Sequence, residues 1–430
     1  MKVALVNPAW RFEHSIYFGC RAPHLPLELG YARAMLEAGG HQTLLLDAAL
    51  DGLDAAGLAD AVAAFGADLA VITTAPTYLF WRCAPPELRV PRDMVARLRD
   101  IGVRSVLVGP HGSTTPDTAL RKTEADILIR GECEEAVRAL ADAGGVPDGI
   151  AGAAWRDVAG EVRVNGGPLA TRFVDAPALR WPDAWVGRHD HHHHRFDTTP
   201  VGPGAEVEAS RGCPYSCSFC AKIDFRDAYR RRELPILLEE IDGLIAQGAT
   251  YLYFIDEIFL PQKPLLEALR GRPVQFGVQT RIDLWQPAML ALLGEAGCVS
   301  IEAGVESLSV EGRAALDKKC RMTTDELTDR LILARRHVPF VQANLILSAG
   351  DEAAEIAAWR ETLRDAGVWA NDPVPLFPYP GSPDYRKRWG MPDDAAWERA
   401  HAHYLAQFDA MSDIQEAEPL PLPTLETLAC

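Results

Sequence analysis

No apolar run in this 430-residue sequence approaches the ~18 residues needed to cross a bilayer, which excludes a membrane-inserted helix. Met1-Lys2 passes straight into Val3-Ala4-Leu5-Val6, a strand pattern and not the apolar core of a secretory signal, so a cytoplasmic protein is expected. Positive charge is scarce: 43 Lys and Arg stand against 60 Asp and Glu, for a net charge of -17. That balance argues against a sequence-independent grip on a phosphate backbone and excludes nucleic acid as an expected partner. The one basic run, residues 226–232, is short and reads as a solvated helix start. Nine cysteines, an odd number and mostly scattered, do not make a disulfide framework and fit a reducing compartment. No Gly-x-Gly-x-x-Gly follows the first strand, which disfavours a dinucleotide site. With 48% hydrophobic and 24% charged residues, wholesale disorder is excluded and two domains are expected.

What is present is concentrated near the midpoint, in Arg211-Gly212-Cys213-Pro214-Tyr215-Ser216-Cys217-Ser218-Phe219-Cys220. The three cysteines are separated by three and then two residues, which brings three thiolates onto one tight loop. That suits three corners of a 4Fe-4S cluster and leaves the fourth iron open to chelate a small molecule. A structural zinc knuckle is the alternative. Zinc usually takes four protein ligands in paired short spacings, and no second Cys-x-x-Cys or His pair lies nearby to complete one. Cys20, Cys83, Cys133, Cys298, Cys320 and Cys430 form no second motif and read as plain thiols.

This loop, with the aromatic Phe219 before its last cysteine, resembles the cluster motif of the radical S-adenosylmethionine (radical SAM) superfamily. The resemblance implies that Cys213, Cys217 and Cys220 ligate the cluster and that its open iron holds the amino and carboxylate groups of S-adenosylmethionine. An electron would then cleave the sulfonium to a 5′-deoxyadenosyl radical that abstracts hydrogen from an unreactive carbon. An external electron donor, such as a flavodoxin or ferredoxin, is implied as a partner.

Upstream, near-continuous apolar strands at residues 3–7, 43–47, 68–74 and 105–109 alternate with helical stretches at 27–38, 55–65 and 91–100. That alternation specifies a doubly wound, Rossmann-like parallel sheet with ligands at the carboxyl ends of its strands. The candidate loops are residues 7–10, 73–81 and 109–114. Val6-Asn7-Pro8, Pro26-Leu27-Glu28-Leu29-Gly30-Tyr31, Leu107-Val108-Gly109-Pro110-His111 and Gly131-Glu132, in that order, resemble the cobalamin-binding domain that precedes the cluster in one branch of the radical superfamily. The resemblance implies cobalamin contacts at Asn7, Thr73, Thr74, Tyr78, Gly109, His111, Gly112 and Glu132. The Asp-x-His-x-x-Gly string that many cobalamin proteins carry, whose histidine replaces the lower cobalt ligand, is missing. The lower face would then be bare, or shielded by a side chain such as Tyr78 or Trp81. Simple packing is an equal reading of those two.

The domains are expected at residues 1–145 (cobalamin-binding), 146–202 (a linker with a hairpin at Val164-Asn165-Gly166-Gly167), 203–385 (a partial (β/α)6 barrel) and 386–430 (a helical cap and tail). Within the linker, His189-Asp190-His191-His192-His193-His194 is interrupted and internal, unlike a cloning tag. A mobile polar segment that picks up metal adventitiously is its plainer reading. A metal site or a border to a substrate cleft are alternatives.

In the barrel, polar residues fall at the carboxyl ends of strands, where such architectures place their chemistry. The same resemblance implies S-adenosylmethionine contacts there: Asp256 and Glu257 at its amino group, Arg281 at its carboxylate, Glu306 at its ribose and Phe219 at its adenine. Asn344 is a weaker candidate, because Leu347-Ser348-Ala349-Gly350-Asp351 replaces the family's Gly-Leu-Pro-Gly turn. Tyr379-Pro380-Gly381-Ser382-Pro383 resembles the end of the family's last barrel strand, and residues 393–412 read as a helix. The expected activity is cobalamin-dependent C-methylation of an unactivated carbon in a small-molecule, sugar or lipid substrate. A radical rearrangement, cyclisation or oxidation without methyl transfer, or a non-catalytic cobalamin sensor with a structural metal site, are the alternatives.

Overall fold

In the computed structural model, the described residues are 1–16, 24–76, 84–167, 170–189, 202–222, 224–226, 228–348, 350–407 and 419–429. The apolar stretches of the N-terminal third become parallel strands: β1 (Lys2–Asn7), β2 (Gln42–Asp47), β3 (Leu69–Thr73), β4 (Arg104–Val108) and β5 (Ile127–Ile129), in spatial order β2-β1-β3-β4-β5. β3 and β5 are buried at every residue, as strands covered by helices on both faces must be. The first helix spans Leu27–Ala38 and the second long one Ala55–Phe65, the latter closed by Gly66 in the left-handed conformation.

The sheet does not stop at residue 145. An antiparallel hairpin, β6 (Ala153–Arg156) and β7 (Val162–Val164), adds to the β5 edge, so the first half of the expected linker belongs to the N-terminal sheet. The chain reverses at residues 157–161 and not at Val164-Asn165-Gly166-Gly167. Asp157 caps the reversal by accepting from the amides of Ala159 (2.9 Å) and Glu161 (3.0 Å), and Gly160 takes a φ of +82°. Asn165 instead donates its side-chain amide to the carbonyls of Pro147 and Ile150.

The second sheet is wholly parallel, in the order β8 (Gly204–Val207), β11 (Tyr251–Phe254), β12 (Gln275–Thr280), β13 (Cys298–Glu306), β14 (Phe340–Leu345) and β15 (Trp369–Ala370). A short ribbon of β9 (Ser210–Arg211) and β10 (Arg230–Arg231) stands beside it. Helices on the connections make this the expected partial (β/α)6 barrel. The last strand is shorter and earlier than its sequence suggests. Pro375, Pro378 and Pro380 carry no amide hydrogen, so the 374–381 stretch contributes only an isolated bridge between Ile346 and Val374.

One apolar core runs through both sheets. Phe173, Leu179, Trp181 and Trp185, from the stretch between the domains, are buried in it with Val3 and Leu5 on one side and Val207 and Phe254 on the other. The C-terminal helix Ala396–Leu405 packs back onto the N-terminal domain through Trp397. Among the described residues, no helix is long and apolar enough to cross a membrane.

Candidate active site

The cysteine loop leaves β9 at Gly212, whose φ of +75° suits a residue without a Cβ. Its amide donates to Glu257 Oε2 at 2.8 Å, tying the start of the loop to the end of β11. Farther along, Ser218 donates its amide to the Leu316 carbonyl (2.9 Å) and its hydroxyl to Asp384 (3.0 Å), while the Asp384 amide donates back to the Ser218 carbonyl (2.8 Å). Lys222 Nζ donates to the Cys213 carbonyl at 2.7 Å. The loop is thus held from β11, from the turn beyond β13 and from the C-terminal region at once.

Cys213, Cys217 and Cys220 are half-exposed free thiols. Burial raises all three above the usual thiol range. Cys220, which also feels Cys213 and Cys217, is pushed up to about 12. Three soft sulfur donors on one loop, each resisting ionisation unless a cation is supplied, are a donor set that fits an iron-sulfur cluster.

Around these thiols the barrel mouth assembles charged side chains from three strand ends and from the loop that carries Lys318. Asp256 is fully buried and accepts from the Ala209 amide (2.8 Å) and the Ser210 hydroxyl, so it pins the ribbon that launches the loop. Burial pushes its carboxyl up to about 8. Glu257 stands near Cys213 and also meets Arg226 at 3.4 Å. Cys217 feels Lys318, Glu306 and Arg281. Arg281 lies over the Tyr215 ring at 4.2 Å, pairs with Asp283 at 2.8 Å and donates to the Lys318 carbonyl at 2.6 Å. Glu306 accepts from Lys318 Nζ at 2.7 Å from a backbone φ of +68°, beside a register shift that ends β13. A non-glycine residue held there costs ~1–3 kcal/mol, a strain that clusters at functional sites. Phe219 is half-buried on the loop itself. Asn344 accepts from Gln342 at 2.6 Å. Sequence reasoning passed over Lys222, which lies two residues beyond Cys220, and Lys318 and Asp384, which reach the loop only through the fold; the doublet Lys318-Lys319 after β13 was the available signal.

At the carboxyl ends of the N-terminal strands, Asn7 donates to Asp47 (2.6 Å) and accepts from Trp10 (2.8 Å) and Thr73 (3.2 Å). Burial raises the Asp47 carboxyl to about 6. Among the described residues, the hydroxyl of Thr74 is buried with no hydrogen-bond partner, and His111 is buried beside the Pro85 and Pro86 carbonyls. Burial, reinforced by Lys122, lowers the His111 imidazole to about 3 against the opposing pull of those carbonyls. Its neutral ring stacks on Trp397 at 4.2 Å. Gly109, at φ +133°, lies so close to Thr74 that a Cβ would stand 2.3 Å from the hydroxyl, and a Cβ on Gly112 would stand 2.3 Å from Leu128 Cδ1. The unpartnered buried hydroxyl is a group that a polar ligand at this edge would satisfy. Tyr78 and Trp81 lie outside the described residues.

Glu132 has other company than a strand-end ligand. Its carboxylate accepts from Arg230 (2.9 Å), Arg211 (3.4 Å) and the Thr171 amide (2.8 Å). Burial alone would raise it, but Arg230, Arg211 and Arg226 hold it below the usual carboxylate range. Arg211 also meets Glu134 (2.6 Å) and Glu208 (2.8 Å), clasped between the Tyr31 and Phe173 rings at 4.9 and 4.3 Å. A buried ion network therefore joins the loop Gly131–Glu134 of one domain to the first residue of the cysteine motif in the other.

Residues 207–363 match the family model described as the Radical SAM superfamily. An uncharacterized methyltransferase of Pyrococcus horikoshii is 24% identical over 368 residues, 83% of this chain and 76% of that one. The anaerobic magnesium-protoporphyrin IX monomethyl ester cyclase of Cereibacter sphaeroides is 26% identical over 390 residues, and the match spans 86% of this chain but only 60% of the cyclase. Among solved structures, the radical S-adenosylmethionine methyltransferase TsrM of Kitasatospora setae, with cobalamin and a [4Fe-4S] cluster bound, superposes with a TM-score of 0.68 at 20% identity, covering 90% of this chain and 75% of that one. The two-domain fold is therefore shared with that structure.

Proposed function

The chain carries a radical SAM domain, and from that premise we propose that it is a cobalamin-dependent radical SAM enzyme that methylates an unactivated carbon of a small-molecule, sugar or lipid substrate. The observation that carries this reading is the threefold anchoring of the Cys213, Cys217 and Cys220 loop at a barrel mouth, covalently continuous with a strand-edge site of the TsrM-like N-terminal fold. When bound, the cluster supplies the electron that cleaves S-adenosylmethionine, and cobalamin supplies the carrier for the methyl group.

The protein's part is to fix and charge the site. Glu257, beside Cys213, is placed to meet a cationic amino group. Arg281 and Lys318 present positive charge near Cys217, where a carboxylate can be received, and Glu306 offers oxygens to ribose hydroxyls. Asp256, buried beneath, orients the loop and not the ligand. In the other domain Asn7, Thr73, Thr74, Gly109, His111 and Gly112 would line the cobalamin side, with Thr74 holding a buried hydroxyl that has no partner among the described residues. Glu132 serves that domain through Arg211, the first residue of the cysteine motif, and Arg230 on β10. An external flavodoxin- or ferredoxin-type reductant completes the scheme.

The test is anaerobic reconstitution with iron, sulfide and hydroxocobalamin, desalting, and a visible spectrum before reductant and S-adenosylmethionine are added. Corrin bands retained beside the iron-sulfur absorption support the proposal, and an iron-sulfur spectrum without corrin overturns its methyl-transfer half. No S-adenosylmethionine cleavage would leave the sensor reading. The cyclase relative favours a second reading, oxidative ring closure with the same cofactors. A product depleted in hydrogen, without a methyl mass gain, selects it.

A further inference from the structure

We propose that His24, His189 and Glu206 form a buried site for a divalent transition metal, best matched to zinc, that clips three separate segments of the chain together. His24 precedes the helix Leu27–Ala38, His189 ends the helix Asp183–Arg188, and Glu206 lies on β8, the first barrel strand. All three are buried, at 4%, 1% and 0% exposure. His24 Nδ1 lies 2.7 Å from Glu206 Oε1 and His189 Nε2 lies 3.1 Å from Oε2, and the three donor atoms all fall within 4.8 Å of one another.

The surroundings fix the donors as a metal site requires. His189 Nδ1 meets the Gly204 carbonyl, which puts the ring proton on Nδ1 and turns the Nε2 lone pair towards the cluster. The Gly204 amide donates back to the His189 carbonyl at 3.1 Å, and the Leu25 amide donates to Glu206 Oε2 at 3.2 Å. Two imidazoles and one carboxylate are a donor set of zinc and of non-haem iron. Zinc bonds of about 2.0–2.2 Å in a tetrahedron separate ligand atoms by about 3.3 Å, so the observed contacts need to open only slightly. The competing occupant is a proton shared by the same atoms. The nitrogen and oxygen donors set this site apart from the three thiols of the cysteine loop.

The experiment uses the full chain stripped with a chelator, loaded with Zn2+ alone, desalted and assayed for zinc by mass spectrometry, with ligation read at the zinc X-ray absorption edge. About one zinc per chain in a shell of two imidazoles and oxygen is expected. It should persist when His191–His194 are replaced by asparagine and when Cys213, Cys217 and Cys220 are replaced by alanine. His24→Ala and Glu206→Ala should each weaken retention by more than about tenfold. Failure to retain zinc, loss of the zinc with the His191–His194 replacement, or a sulfur shell at the edge overturns the proposal. If His24→Ala does not fold, the edge spectrum of the unsubstituted protein decides by itself.

Discussion

Arg211 Nη1 donates to Glu134 Oε1 at 2.6 Å, across the boundary between the two domains and two residues before the first cluster cysteine. The pair is fully buried, with Glu208 on the other edge of the guanidinium and aromatic rings flanking it. Removing one member of such a network leaves uncompensated charge in the interior. Arg211→Ala is therefore expected to destabilise the protein by about 3–5 kcal/mol, read as a lowered urea midpoint of the cluster-free chain. Arg226 and Arg211 hold Glu208 below the usual carboxylate range against the opposing effect of burial. Its contribution is thus complete above the ordinary carboxylate pKa and fades as pH falls through the lower folded value. A variant as stable as the parent at neutral pH would show that the network is not a brace.

Asp256 carries the opposite sign. Burial pushes it up to about 8, so the fold favours its protonated form. Stability from this group is full below the ordinary carboxylate pKa of about 4 and declines as pH rises towards 8. Asp256→Asn, which cannot ionise, should gain on the parent by roughly 2–5 kcal/mol between about pH 5 and about pH 8. Parallel stability curves for the two proteins would refute the assignment.

Cys217→Ala removes one of three thiols from a loop that other contacts hold in place. The Gly212–Glu257, Ser218–Leu316 and Ser218–Asp384 bonds do not involve its sulfur. The folded chain should survive with near-unchanged circular dichroism, while bound iron and sulfide fall to background and reductive S-adenosylmethionine cleavage is lost. Retention of a full complement of iron would assign the cluster to other ligands.

The parts of this molecule that announce themselves in sequence are those whose cause is local. Cys213, Cys217 and Cys220 can be read because their spacing alone brings three sulfurs together, and β1 to β4 because apolar runs between helices admit few other arrangements. Arg211 was visible as a letter of the motif but not as a brace, since its carboxylate partners Glu134 and Glu132 lie 77 and 79 residues away. Glu132 drew attention by its place after Gly131, yet its company is set by arginines of the other domain. Lys318 stayed hidden for the same reason. The β6–β7 hairpin looked like linker because its turn rests on one aspartate side chain, Asp157, and not on the Asn-Gly pair that follows it. The His24, His189 and Glu206 constellation comes from three segments that no spacing rule connects.

Gly109 and Thr74 make a tight joint at the edge where the N-terminal strands end. At φ +133° an alanine is strained, and its Cβ would meet the Thr74 hydroxyl at 2.3 Å. Gly109→Ala should cost about 1–3 kcal/mol and lower corrin retention, measured by thermal unfolding and by the desalted visible spectrum. Thr74→Ala removes a buried hydroxyl that has no hydrogen-bond partner among the described residues, so it should be close to neutral in the corrin-free chain. A corrin contact at Thr74 would appear as weaker cobalamin retention in Thr74→Ala without that loss of stability. Unchanged retention would remove Thr74 from the site.

Trp397 connects the last helices to the same edge. Its ring stacks on His111 at 4.2 Å, its indole donates to Thr115 Oγ1 at 3.1 Å, and around it Ala75, Ala84, Leu422 and Leu425 close a small apolar cluster. Thr118 and Lys122 add polar contacts from the N-terminal domain to Asp394 and Glu398. Those peripheral contacts are partly exposed and worth little singly, so the buried ring must supply most of the adhesion. Trp397→Ala should cost about 3–5 kcal/mol, through a cavity the neighbours cannot fill. Because the deleted ring sits at a docking surface, the loss should appear first as release of the C-terminal helices. Limited proteolysis should then cut near residues 390–407 well before the barrel is attacked, and His111 should become reactive to diethylpyrocarbonate. Simultaneous digestion of all parts of the chain would instead make Trp397 an ordinary member of a single cooperative core.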